Sequence, residues 1–147
     1  MLYAMMSTVK CSQGEDRHVM ELPSFPGICE RDIDLLLLEE LWATPAFGAW
    51  LIDRCAADGE VLQRVTEVKK SVTQSSGESD LELTWQRNDG TFAKLLIENK
   101  VDAGFQRDQA ARYHQRSQDY VANGICVSVW TVVLAPAAYV QAGRGSY

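Results

Sequence analysis

Apolar positions change their spacing several times along the chain, and each change marks an expected element. From Glu30 to about Leu41 the residues read as a helix, with Glu30, Asp32 and Asp34 in its first turns, where the helix dipole favours acids. A stripe of Ile33, Leu37, Leu41 and Thr44 faces the interior in this reading, and the run Leu35 to Leu38 implies burial on more than one side. Thr44-Pro45 breaks the helix. Pro45 suits the first turn of a second one through Phe47, Trp50, Leu51 and Cys55, closed by Asp58-Gly59.

A different period follows. Val61 to Val72 reads as a strand, and Leu81, Leu83 and Trp85 alternate with Glu82, Thr84 and Gln86 in a period of two. Asn88-Asp89-Gly90 is a hairpin signal, after which Phe92 to Val101 forms the returning strand. Strong helix formers run from about Phe105 to Val121 and stop at Asn123-Gly124. The last element, Ile125 to Ala135 before Pro136, is rich in Val, Trp and Thr and reads as a buried strand. A helix between two strands is long enough to be a crossover, so the last two strands should run parallel. The expected fold class is α/β, a mixed sheet flanked by helices. Residues 1–29 are an extended lead-in, and 137–147 a flexible tail or the mark of a truncation.

Composition narrows the function classes. A chain of 147 residues suits one domain, and 46% hydrophobic with 23% charged residues is globular. No apolar run approaches the roughly 18 residues of a membrane span. Fourteen basic against twenty acidic residues give a net charge of -6, which excludes nucleic-acid binding by bulk positive charge but leaves binding through metal ions or a local patch. Cys11, Cys29, Cys55 and Cys126 form no CxxC pair, and the apolar start Met1 to Met6 is too short for a signal-peptide core. The expectation is a cytoplasmic protein with reduced thiols. Trp42, Trp50, Trp85 and Trp130 read as core or sheet-packing residues.

Candidate chemistry gathers at the hairpin. Glu98 and Lys100 are two apart on a strand and share a face, while Asn99 points the other way. A three-residue loop centred on Asp89 sets Asp80 opposite Glu98; a two-residue loop sets it opposite Asn99 instead. In the first register two carboxylates stand side by side and call for a cation between them, for which Mg²⁺ or Mn²⁺ suits hard oxygen donors. The plainer account is an exposed Glu98–Lys100 ion pair with Asp80 at a strand end. Leu95-Leu96-Ile97 weigh against it, since charges at the end of an apolar strand are costly unless partnered or employed.

These residues resemble the PD-(D/E)xK nuclease superfamily, the restriction-endonuclease-like fold with its αβββαβ core. Asp80 in GESDLEL stands for its Asp motif, with Ser79 where Pro is usual, and Glu98-Asn99-Lys100 for its (D/E)xK motif. The string IENKVDAGFQRDQAARY is similar to divergent bacterial branches, over a domain spanning residues 30–136. The resemblance implies Gln109 and Tyr113 as site-lining residues. It also implies a metal set of Asp80, Glu98, the Asn99 carbonyl and an acid from the first helix, either Glu39 or Glu40, of which Glu40 lies on the stripe above. The implied activity is Mg²⁺-dependent hydrolysis of DNA phosphodiester bonds, with Lys100 assisting the attacking water. Arg107, Arg112, His114 and Arg116 are candidate phosphate contacts or simply a solvated helix face. The competing reading is a nuclease-like binding or assembly module without catalysis. Partners besides DNA are a second copy or further domains of a longer chain.

Overall fold

The computed structural model describes residues 2–3, 27, 29–56, 62–74, 77–101, 104, 106–136 and 139. Most of the expected lead-in and nearly all of the expected tail lie outside the described residues. The elements are β1 (Leu2–Tyr3), α1 (Glu30–Ala43), α2 (Pro45–Cys55), β2 (Leu62–Gln74), β3 (Gly77–Arg87), β4 (Phe92–Asn99), α3 (Gln109–Ala122) and β5 (Ser128–Leu134). They build an α/β fold around one mixed sheet ordered β1-β5-β4-β3-β2, with the two-residue β1 pairing β5 in parallel.

The hairpin decides the register. Asp89 Oδ1 accepts from the Thr91 N–H at 3.0 Å and from its hydroxyl at 2.6 Å, and Gly90 turns the chain at φ 83°. Three residues, Asn88 to Gly90, therefore sit outside the ladder, and pairing runs from Gln86↔Phe92 to Leu81↔Ile97. β5 runs parallel to β4, joined through α3.

Helices cover both sheet faces. Leu81, Leu83, Trp85, Leu95 and Ile97 pack with Leu41, Leu51 and Ile52 of α1 and α2, whereas Leu96 meets Tyr113, Tyr120 and Cys126 on the α3 side. Each fully buried Leu or Ile contributes roughly 1.5–3 kcal/mol. β4, between β3 and β5, is buried from Ala93 onward.

Three expectations need correction. The leucine run is not buried all round: Leu35 and Leu36 are 46% and 58% exposed, because only one stripe of α1 meets the sheet. Trp85 is buried and stacks on Trp130 at 5.5 Å, but Trp42 and Trp50 are exposed. β5 is buried only at Val132; among the described residues its outer edge meets only the short β1. Among the described residues no single helix is long and apolar enough to cross a membrane.

Candidate active site at the ends of β3 and β4

β4 emerges from the core carrying Glu98, Asn99 and Lys100, all buried. Alternation sends Glu98 and Lys100 toward α3, where Glu98 Oε1 meets Lys100 Nζ at 2.5 Å and Glu98 Oε2 accepts from the Tyr113 hydroxyl at 2.5 Å. Both oxygens of the carboxylate are thus engaged, one by Lys100 on the same strand face and the other by Tyr113 on α3. Burial on this scale removes the option of an ordinary exposed ion pair.

Asp80 lies where the β3–β4 ladder ends. Continuing the register past Leu81↔Ile97 sets it against Glu98, and its Oδ2 accepts from the Asn99 N–H at 2.8 Å. The side chain thereby does the work of a strand carbonyl and ties the two acidic segments together. Across β3, between the pairs Lys70↔Leu81 and Val72↔Ser79, Ser71 adopts φ 53°, an unfavourable conformation for a residue with a Cβ.

Asn99 points to the opposite face, toward α1. Its Nδ2 donates to Asp34 Oδ1, and Asp34 Oδ2 pairs with Lys70 Nζ at 3.3 Å. The Asn99 Oδ1 is buried and has no hydrogen-bond partner among the described residues. Glu30, also on α1, accepts from the Val101 N–H at 3.2 Å. The first turns of α1 therefore close over the end of β4.

The electrostatics follow from this crowding. Burial raises the Asp80 carboxyl to about 6, with the charges of Glu98 and Asp34 adding to the rise and the Asn99 N–H and Lys100 opposing it. Burial alone would lower the Lys100 ammonium, but its hydrogen bond to Glu98 and the fields of Glu98, Glu30 and Asp80 outweigh that and raise it. Burial and the neighbouring Glu98 also raise the Tyr113 phenol, which stays protonated and donating. Lys100 is a fixed cation here, not a base.

The structure brings together Asp80, Glu98, Asn99, Lys100 and Tyr113. Glu40 does not join them: it is exposed and accepts from the Thr44 hydroxyl at 3.1 Å, and Glu39 is exposed too. The buried residues of α1 are Asp34 and Leu41, so the inward stripe is set one position away from the expected one at its start, and Asp34 is the helix acid near Asp80. The leucine run hid that phase. Gln109 is buried at the start of α3, where its Oε1 accepts from the Gln106 N–H at 3.1 Å, in the turn that leads into the helix. Of the expected phosphate contacts, Arg112 is held by the Arg107 carbonyl and Gln106, and Arg116 is buried.

Comparison with protein-family models, with characterised proteins and with solved structures finds no match to this chain.

A divalent cation can be weighed against the donors themselves. Among the described residues no three His, Cys, Asp or Glu side chains gather to hold a metal ion. Mg²⁺ does not need three, since it keeps several waters and is commonly held by one or two carboxylates. Asp80 and Glu98 supply hard oxygens on adjoining strands, and Asp80 Oδ1 has no hydrogen-bond partner among the described residues. The raised Asp80 carboxyl marks a place where added positive charge would be stabilising. Asp80 Oδ1 is the donor open to such an ion, and Glu98 would join it only by exchanging its contact with Lys100 or Tyr113.

Proposed function

We propose that this chain is a metal-dependent nuclease domain of the PD-(D/E)xK kind, with a restriction-endonuclease-like core, hydrolysing phosphodiester bonds in DNA. The observation that carries this reading is the buried Glu98–Lys100 pair on β4, with Tyr113 on the second Glu98 oxygen and Asp80 at the adjoining end of β3. Mg²⁺ or Mn²⁺, when bound by Asp80 and Glu98 with the Asn99 carbonyl as a further donor, would supply Lewis-acid polarisation of the phosphate and an activated water. Lys100 stays charged and offsets the negative charge that grows on the phosphate. Tyr113 fixes the plane of the Glu98 carboxylate, and Asn99 holds Asp80 through its N–H.

A second reading is a nuclease-like binding or assembly module. It is favoured by one feature: both Glu98 oxygens are already satisfied within the protein. The test is incubation of supercoiled plasmid and linear duplex with the protein and Mg²⁺ or Mn²⁺, beside EDTA and Lys100→Ala controls. Metal-dependent cutting that Lys100→Ala reduces by about 100-fold or more supports hydrolysis. DNA retention without cutting favours the binding module, and neither cutting nor retention removes DNA as the partner.

A further inference from the structure

We infer that Arg116 is a positioning residue for Asp80, acting through the Ser79 hydroxyl, and that α3 thereby braces both acidic segments of the site. This rests on the nuclease reading for its catalytic consequence, though not for its geometry. Tyr113, Arg116 and Tyr120 are spaced by three and four residues and share the buried face of α3. Tyr113 grips Glu98 on β4, Arg116 Nη1 donates to Ser79 Oγ on β3, and Tyr120 donates to Glu82 Oε2 at 2.7 Å.

Ser79 is fully buried and immediately precedes Asp80. Its one hydroxyl hydrogen goes to Glu82 Oε1 at 3.1 Å while its oxygen receives Arg116, so both capacities of the group are used and its rotamer is pinned. Arg116 is itself 1% exposed and 3.9 Å from Glu82 Oε1; Glu82 Oε2 also faces Lys94 at 3.3 Å. A guanidinium is costly to bury, and close approach to this point needs room: a Cβ on Gly77 would lie 3.3 Å from Arg112 Nε and 3.7 Å from Arg116 Nη2. The charged network thus converges on the backbone just before Asp80. Where the resembling pattern usually has Pro, this chain has a small hydroxyl residue that both donates to Glu82 and accepts from Arg116.

The test compares Ser79→Ala and Arg116→Lys with Tyr120→Phe, which loosens the far end of the network without touching Ser79. The readout independent of activity is amide hydrogen exchange by NMR. The Asn99 N–H is held by Asp80, and the Lys100 N–H by the Leu134 carbonyl at 2.8 Å. Ser79→Ala and Arg116→Lys are expected to speed Asn99 exchange about tenfold while Lys100 changes less than about twofold, and Tyr120→Phe is expected to spare the difference. In metal-dependent cleavage kcat should fall about 10- to 100-fold in the first two variants with KM for DNA nearly unchanged. Unchanged Asn99 protection in folded Ser79→Ala overturns the brace, as does equal acceleration in Tyr120→Phe; should Arg116→Lys not fold, Ser79→Ala decides alone. A wild-type protein that cuts no DNA, together with variants that show the selective loss at Asn99, overturns the nuclease reading and leaves the brace standing.

Discussion

Tyr113 on α3 donates its phenol to Glu98 Oε2 at 2.5 Å, a contact between a helix face and the last residues of the central strand, 15 positions apart in sequence. Lys100 holds the other oxygen, so the two contacts together set which way the carboxylate plane turns. Hydrogen bonds to a buried charge are worth more than neutral ones. Tyr113→Phe keeps the ring and deletes the donor, so it should cost about 1.5–3 kcal/mol of stability. For a domain of this size that is a fall in Tm of roughly 3–10 °C. Urea unfolding with an unchanged m value checks it, and a loss under about 0.5 kcal/mol would show that the bond adds little.

Asp80 predicts an unusual pH dependence. Its carboxyl is raised from 3.8 to about 6, first by burial and then by Glu98 and Asp34. The folded chain therefore keeps a proton that the unfolded chain has released. Its contribution to stability is complete below about pH 4 and is lost as pH rises through about 6. Asp80→Asn should remove this slope and gain about 1 kcal/mol over wild type at pH 7.5 relative to pH 4.5, a figure reduced for solvent screening at a half-exposed group. Denaturant midpoints at the two pH values decide the matter. On the proposed function, metal-dependent activity should climb over the same interval, since the ionised carboxylate would be the metal ligand.

Much of this arrangement was legible in the residues. Asn88-Asp89-Gly90 left two registers open, and the Asp89–Thr91 contacts select the one that sets Asp80 against Glu98. The parallel pairing of β4 and β5 followed from the length of the intervening helix. The helix acid was misplaced for a local reason: Leu35 to Leu38 blur the 3.6-residue period, so Glu40 looked inward when Asp34 does. The Glu82 network was missed because the alternation in β3 was read only as a strand signal. Alternate polar residues can face water only in a sheet with one open face, and here both faces are covered. The crossover helix had to cover the second face, and the spacing of Tyr113, Arg116 and Tyr120 was the available sign that polar side chains lay beneath it.

On the proposed function, a substitution at Lys100 would separate metal binding from catalysis. Its ammonium occupies Glu98 Oε1, a position that a divalent ion would share. Replacing it by Met leaves Glu98 with Tyr113 alone and places Asp80 and Glu98 in mutual repulsion, which a cation relieves. Lys100→Met should therefore gain more thermal stability from added Mg²⁺ than wild type does, while cleaving at least about 100-fold more slowly. Thermal melts across a Mg²⁺ titration read the first effect and plasmid cleavage the second. A smaller Mg²⁺ response in the variant would mean that Glu98 is not part of the metal site.

The second buried cluster makes the strongest demand on stability. Glu82 is 1% exposed and meets donors on both oxygens, with Ser79 and Arg116 on one side and Lys94 and Tyr120 on the other. Glu82→Gln must turn its amide nitrogen toward one of those donor pairs, and it removes the only carboxylate that the described contacts give Lys94. Breaking a buried pair from one side costs about 3–5 kcal/mol. Lys94→Met strands the carboxylate in the same way, although Arg116 and Tyr120 remain to it. In Glu82→Gln/Lys94→Met neither partner is left facing an absent one, so the double variant should be less destabilised than the two singles together, with a coupling of at least about 1 kcal/mol. Urea unfolding of all four proteins closes the cycle. Additive losses would mean that Glu82 answers to Arg116 alone, and that the Lys94 ammonium is held by its place 4.8 Å above the Tyr120 ring.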